Sequence, residues 1–190
     1  MSKKQVFVVK GGTPYYGMWD DSDKIISVDK SEEPRQVTIT CKDVTIMCSM
    51  FEDCSNLTSL DVSNFNTSNV KDMTLMFYGC SSLTSLDLSS FDTSNTTEMI
   101  KMFESCSKLI SVDLSNFDTS NVTDIWEMFA NCTCLTSIKG IIDMKSCTQY
   151  DDMFYGCFNL KDVKIKNPPA DTDWWEKAGF RSESQFTVVS

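Results

Sequence analysis

The chemistry open to a protein is set by a few residue types, and this chain of 190 residues lacks the commonest of them, having no histidine. Without an imidazole there is no ordinary general base at neutral pH, and neither Ser-His-Asp nor Cys-His nucleophile systems can be assembled. Nine cysteines suggest disulfides or a metal, but the count is odd and Cys132-Thr-Cys134 is the closest pair. With no second pair and no histidine, that is a weak zinc signal. Two carboxylates about 5 to 9 Å apart can hydrolyse a glycoside, but that reaction needs a cleft, and the abundant serines stand in turn-forming sequence. The expectation is a non-enzymatic protein with no catalytic residue, no metal site and no cofactor.

Charge narrows the partners. Seventeen basic residues against 27 acidic ones give a net charge of -10, so a nucleic-acid backbone or an anionic membrane would repel the chain before contact. The opening stretch, Met1 to Lys10, holds a four-residue apolar run, too short for a signal-peptide core or a membrane span. No nucleic acid, no direct membrane insertion, no Sec export signal and no anchor are therefore expected.

What positions the cysteines is a repeat. Met-Phe pairs occur at 50/51, 76/77, 102/103, 128/129 and 153/154, in steps of 26, 26, 26 and 25 residues. A cysteine follows each pair at one offset (Cys54, Cys80, Cys106, Cys132, Cys157) and a leucine three residues later (Leu57, Leu83, Leu109, Leu135, Leu160). Such periodicity marks stacked units. The cysteines then read as a row of small, polarizable core side chains.

Within a unit, Leu86-Asp87-Leu88 alternates and predicts a short strand with one buried face. Ser89 to Ser94 predicts a turn anchored by Phe91. Asn95 with Glu98 has capping-box spacing, repeated by Asn69 with Asp72 and Asn121 with Asp124, and predicts a helix start. Met99, Met102, Phe103 and Cys106 then form one apolar helical stripe. A unit this short cannot enclose a core, so the units must stack with parallel strands.

The expected architecture is an α/β repeat solenoid of short parallel strands and short helices, with a β-rich N-terminal cap over 1–43, about five repeats over 44–165, and a helix/strand C-terminal cap over 166–190. In the first cap, residues 5–9, 24–28 and 36–40 read as strands of an antiparallel cover. In the last, Asp171 to Gly179 reads as a helix closed by glycine, Gln185 to Val189 reads as a strand, and Trp174 and Trp175 read as the seal.

The segment Leu83-Thr-Ser-Leu-Asp-Leu-Ser-Ser-Phe-Asp-Thr-Ser-Asn-Thr-Thr-Glu-Met, continued by Met102-Phe103 and Cys106, resembles the bacterial surface-protein type of leucine-rich repeat, also described as mycoplasma lipoprotein-type. Residues 44–165 carry the resemblance, and Ser111 to Cys132 match nearly position for position. The resemblance implies a leucine-rich-repeat-like fold and a binding or adhesion role, on a bacterial surface or in a phage-associated protein. It implies as partners a protein or glycan on a cell surface, or other virion proteins. Lacking an export signal, the chain also suits a structural subunit of a phage particle docked through its caps, or a cytosolic effector that sequesters a host protein.

The candidate partner-binding face is the outward side of the strands. Asp61, Asp87 and Asp113 follow one another in register, and the row changes sign at Lys139 and Lys164. Ser59, Ser85, Ser111 and Ser137 run beside it. A further row, Thr67, Thr93 and Thr119 with the serines and asparagines that follow them, reads as hydrogen-bonded stacking within turns.

Overall fold

The computed structural model describes residues 3–8, 36–41, 45–63 and 65–190, the first two segments as backbone. Strands β1 (Lys3–Val8) and β2 (Gln36–Cys41) pair antiparallel, Lys3 opposite Cys41. This agrees with two strands of the expected cover; the third, 24–28, lies outside the described residues.

From residue 45 onward each unit of about 26 residues lies against the next. Outward polar and inward apolar residues alternate along the strand-like segments, so Leu86 and Leu88 are buried and Asp87 is exposed. In the third and fourth units these segments are full strands, β3 (Ser111–Asp113) and β4 (Ser137–Lys139), parallel with Ser111 opposite Ser137 and Asp113 opposite Lys139. A second parallel sheet follows, in the order β5 (Ile141–Asp143), β6 (Val163–Lys166), β7 (Phe186–Val189).

The expected short helices are not there. The Met-Phe segments are successive turns, and α1 (Trp174–Lys177) is the one α-helix among the described residues. The reason lies in where the N–H groups go. An α-helix spends every interior N–H on its own i−4 carbonyl, but here alternate N–H groups donate to the next unit: Met73 to Glu98, Leu75 to Ile100, Phe77 to Met102 and Gly79 to Glu104, at 2.9 to 3.0 Å. The N–H groups between them close local turns, Met76 to Met73, Tyr78 to Leu75 and Cys80 to Phe77.

Turning alternate donors outward requires left-handed backbone twice per unit, and two rows supply it. One is Ser49, Leu75, Lys101, Glu127 and Asp152; the other is Asp53, Gly79, Ser105, Asn131 and Gly156, all at φ between 52° and 79°. The expected capping boxes are absent for the same reason. Asn95 and Asn121 donate through Nδ2 to the carbonyls of Ser68 and Ser94 in the preceding unit, at 2.8 and 3.0 Å, so they staple neighbours together.

The core is a set of ladders. Phe51, Phe77, Phe103, Phe129 and Phe154 stack with centroids 5.2 to 5.8 Å apart, and Phe65, Phe91 and Phe117 stack at 6.2 Å. Cys80, Cys106, Cys132 and Cys157 are buried, and their thiols donate to the carbonyls of Phe51, Phe77, Phe103 and Phe129, 3.0 to 3.2 Å away. A small side chain with a weak donor fits a narrow place beside a carbonyl. Cys54, at the start of the row, is half-buried. Buried Thr67, Thr93 and Thr119 each donate to one carbonyl of the following unit and accept from the same residue's N–H, those of Asp92, Asp118 and Asp143. The threonine row is thus internal stacking.

Burial pushes the Cys80 thiol above its ordinary range and that of Cys106 up to about 12, so both stay protonated and unreactive at neutral pH. Peptide mapping after alkylation of the native protein is expected to find exposed Cys134 modified. Cys80, Cys106 and Cys132 are expected to react only after denaturant is added.

At the C-terminal end α1 supplies the last rung, because Asp152 and Phe154 donate to the carbonyls of Lys177 and Ala178. Gly179 (φ 84°) then reverses the chain, laying Phe180 on Phe154 with centroids 4.5 Å apart. Trp174 meets Phe180 and Phe186 edge-on and is buried; Trp175 is half-buried.

Candidate binding face

The strand-like segments place Ser59, Asp61, Ser85, Asp87, Ser111, Asp113, Ser137 and Lys139 on the exposed side. Parallel pairing sets adjacent rungs about 4.8 Å apart. The aspartates also bind their own backbone. Asp61, Asp87 and Asp113 each accept through Oδ1 from the N–H two residues on, that of Ser63, Ser89 or Ser115, at 2.9 Å. Each carboxylate therefore holds the turn that ends its own strand and leaves its second oxygen outward.

Those bonds lower the carboxyl pKa values. The Ser63 hydroxyl and N–H hold Asp61 below its ordinary value, and the Ser89 N–H and hydroxyl do so for Asp87. Asp113 falls to about 2, chiefly through Lys139 and then Ser115. Asp92 and Asp118 are lowered likewise by Ser94 and Ser120. A depressed folded-state pKa gives stability that is present above the unfolded value and lost as pH falls through the folded one. Melting temperature is therefore expected to decline steadily on acidification from about pH 4 to about pH 2, as measured by calorimetry.

Lys139 Nζ lies 2.7 Å from Asp113 Oδ2, with both side chains more than half exposed. Such a pair adds little stability, but it marks where the row changes sign. Lys164 does not continue that row. It stands opposite Ile141 in the second sheet, and the residue bridged to Ser137 is Lys161. The fourth unit is also one residue shorter at its corner, Asp113 to Phe117 spanning five residues and the equivalent Lys139 to Ile142 four, and across the next junction the register slips, with Ser137 opposite Lys161 and Ile141 opposite Lys164.

One face residue escapes the sequence reading. Ile110, 53% exposed, stands in a column otherwise made of Thr58, Thr84 and Thr136. That break in the column is the signal for it. On the opposite, turn side, Lys101 sits between Glu104 and Glu127 at 2.8 and 2.5 Å and 4.6 Å over the Trp126 ring, tying the third unit to the fourth. Among the described residues no three of His, Cys, Asp and Glu are disposed to hold a metal ion. No helix there is long and apolar enough to cross a membrane.

A family model described as "Mycoplasma protein of unknown function, DUF285" matches residues 40–167, about two thirds of the chain. The chain belongs to this family. In this DUF285 member the matched span takes in every Met-Phe turn and every thiol rung, leaving α1 and β7 beyond it. No curated protein matches the chain. Among solved structures, a leucine-rich repeat protein from Bacteroides ovatus ATCC 8483 is similar to this DUF285 chain at 23% identity and a TM-score of 0.42. The alignment covers 75% of this chain and 39% of that one, so the chain spans well under half of that protein's length.

Proposed function

We propose that the chain is a non-catalytic repeat solenoid that presents its strand face to a protein or glycan partner on a cell surface. The observation that supports this is the placement of Ile110 within the Thr column, beside the Ser and Asp columns. It is a solvent-exposed apolar group whose rung is bonded on either side to Thr84 and Thr136 through the backbone, the arrangement of an interface anchor beside a polar rim. The repeating core takes up Cys80, Cys106, Cys132 and Cys157, the Met-Phe pairs and the buried threonines, leaving the face for contact.

The test uses Asp61→Asn, Asp87→Asn and Asp113→Asn together, with Ile110→Thr as a separate variant. Asparagine keeps the Oδ1 acceptor of each turn and removes only the charge. Partners are captured by glycan array and by crosslinking to cell-surface fractions, and affinity is read by interferometry. Each variant is expected to weaken binding about tenfold or more, with Ile110→Thr leaving the melting temperature almost unchanged and the triple Asp→Asn variant lowering it by no more than acidification lowers that of the unmodified chain. Unchanged affinity in both variants would sink the face.

A second reading, a structural subunit of a phage particle docked through its terminal caps, is favoured by Tyr155, Phe158 and Val188, which stand 53 to 58% exposed at the C-terminal end. Recovery of the chain from purified virions would select it.

A further inference from the structure

The one-residue contraction in the fourth unit leaves a shallow cavity of about 370 Å³ between the third and fourth units, beside β6. The other units supply the comparison. In the second, corner residue Ser90 donates through Oγ to the Val62 carbonyl at 3.0 Å; in the third, Asn116 donates through Nδ2 to the Ser89 carbonyl at 2.8 Å. The fourth unit runs Lys139-Gly140-Ile141-Ile142 and has no residue at that corner. The Ser115 carbonyl, one unit on from that of Ser89, accepts no hydrogen bond from a described residue.

The groups around the gap are of mixed kind. Ile141, 42% exposed, and the edge of Phe117 form an apolar floor. Asp118 and Asp143 line it, each using Oδ1 inside the fold: Asp118 accepts from Ser120, and Asp143 from the Lys145 N–H and from Asn167. Their second oxygens are left for another donor. Lys166 completes the rim and makes no ion pair among the described residues.

We infer that this cavity is a binding subsite for a single uncharged sugar ring. Three acceptors and one strong donor around an apolar floor match a molecule that carries several hydroxyls at its edge and C–H groups on its face. The volume is at the small end of the range for ligand sites. A small cation would meet the Lys166 ammonium, and a small anion would meet two carboxylates. The subsite shares the reading of the chain as a binding module but stands apart from the strand face, so the two can fail separately.

The test is titration of the ¹⁵N-labelled chain with glucose, galactose and N-acetylglucosamine, with ethylguanidinium and inorganic phosphate as charged controls. At least one sugar is expected to give saturable amide shifts confined to Gly140, Ile141, Asp143 and Lys166, with a Kd of about 1 to 10 mM, the weak affinity of one ring in an open site. Lys166→Ala is expected to weaken binding about threefold to tenfold. Inserting Asn after Gly140, which restores the corner, is expected to abolish it while the other amide positions stay in place. Three outcomes overturn the inference: no localised shift with any sugar at about 100 mM, equal or larger shifts with ethylguanidinium or phosphate, or undiminished binding by both variants. Strand-face affinity for a captured partner is unaffected by Lys166→Ala in every case.

Discussion

Phe103→Ala is expected to cost about 3 to 5 kcal/mol, the range for truncating a fully buried aromatic. Phe103 is wholly buried, with ring contacts to Phe77 at 5.5 Å and Phe129 at 5.2 Å. Two features place it at the upper end. The cavity lies in the middle of the ladder, bounded by rungs that backbone hydrogen bonds on both sides hold at fixed spacing, from Phe77 to Met102 and from Phe103 to Met128, so collapse to fill it is restricted. The Phe103 carbonyl also accepts the Cys132 thiol, which loses its alignment if the turn shifts. Urea denaturation followed by circular dichroism checks the value. A loss below about 1 kcal/mol would show that the aromatic stack is not what holds adjacent units together.

Gly140→Ala is expected to cost about 3 kcal/mol, combining overpacking against backbone with a side chain at positive φ. A Cβ at this position would lie 2.7 Å from both C and O of Leu114 and 2.8 Å from the Ser115 N, at φ 105°. These are main-chain atoms held in the paired register and cannot rotate aside. Gly79→Ala is the control. Its Cβ would press chiefly on the Asp53 carboxylate, a side chain free to turn, and Ser105 and Asn131 hold the same row at φ 61° and 62° with side chains present. A loss for Gly140→Ala about equal to that for Gly79→Ala would contradict the close approach to Leu114.

The contrast between these glycines shows what is legible in sequence. Period, strand alternation, the Phe, Cys and Leu rows and the C-terminal helix and strand all follow from which side chains are apolar, because burial acts on side chains directly. The helix reading fails because Met99, Met102, Phe103 and Cys106 point inward in either conformation. Their spacing reports side-chain direction and says nothing of whether an N–H bonds within its unit or across to the next. The deciding clue is Gly79, Asn131 and Gly156 in one row, residue types at home in left-handed backbone at a place an unbroken helix would forbid.

The binding face is legible to a lesser degree. Its serine and aspartate columns follow from the period, but Lys164, which points outward between buried Val163 and Ile165 as the alternation demands, leaves the row because β6 pairs with β5 in a slipped register. The step of 25 between Met128 and Met153 signals a shortened unit, without saying where in it the residue is missing or how the next junction pairs.

The interlocking of each turn with its successor bears on how such a chain changes over generations. Every rung offers its predecessor the same backbone carbonyls that it requires from its successor, so tandem duplication or excision of one whole unit leaves the backbone bonding of each remaining junction unchanged. Length behaves as a ruler graduated in rungs of about 4.8 Å. Recombination between neighbouring copies can then lengthen or shorten the partner-facing columns without redesigning a core, whereas a change of any other size must be absorbed locally, as at Gly140.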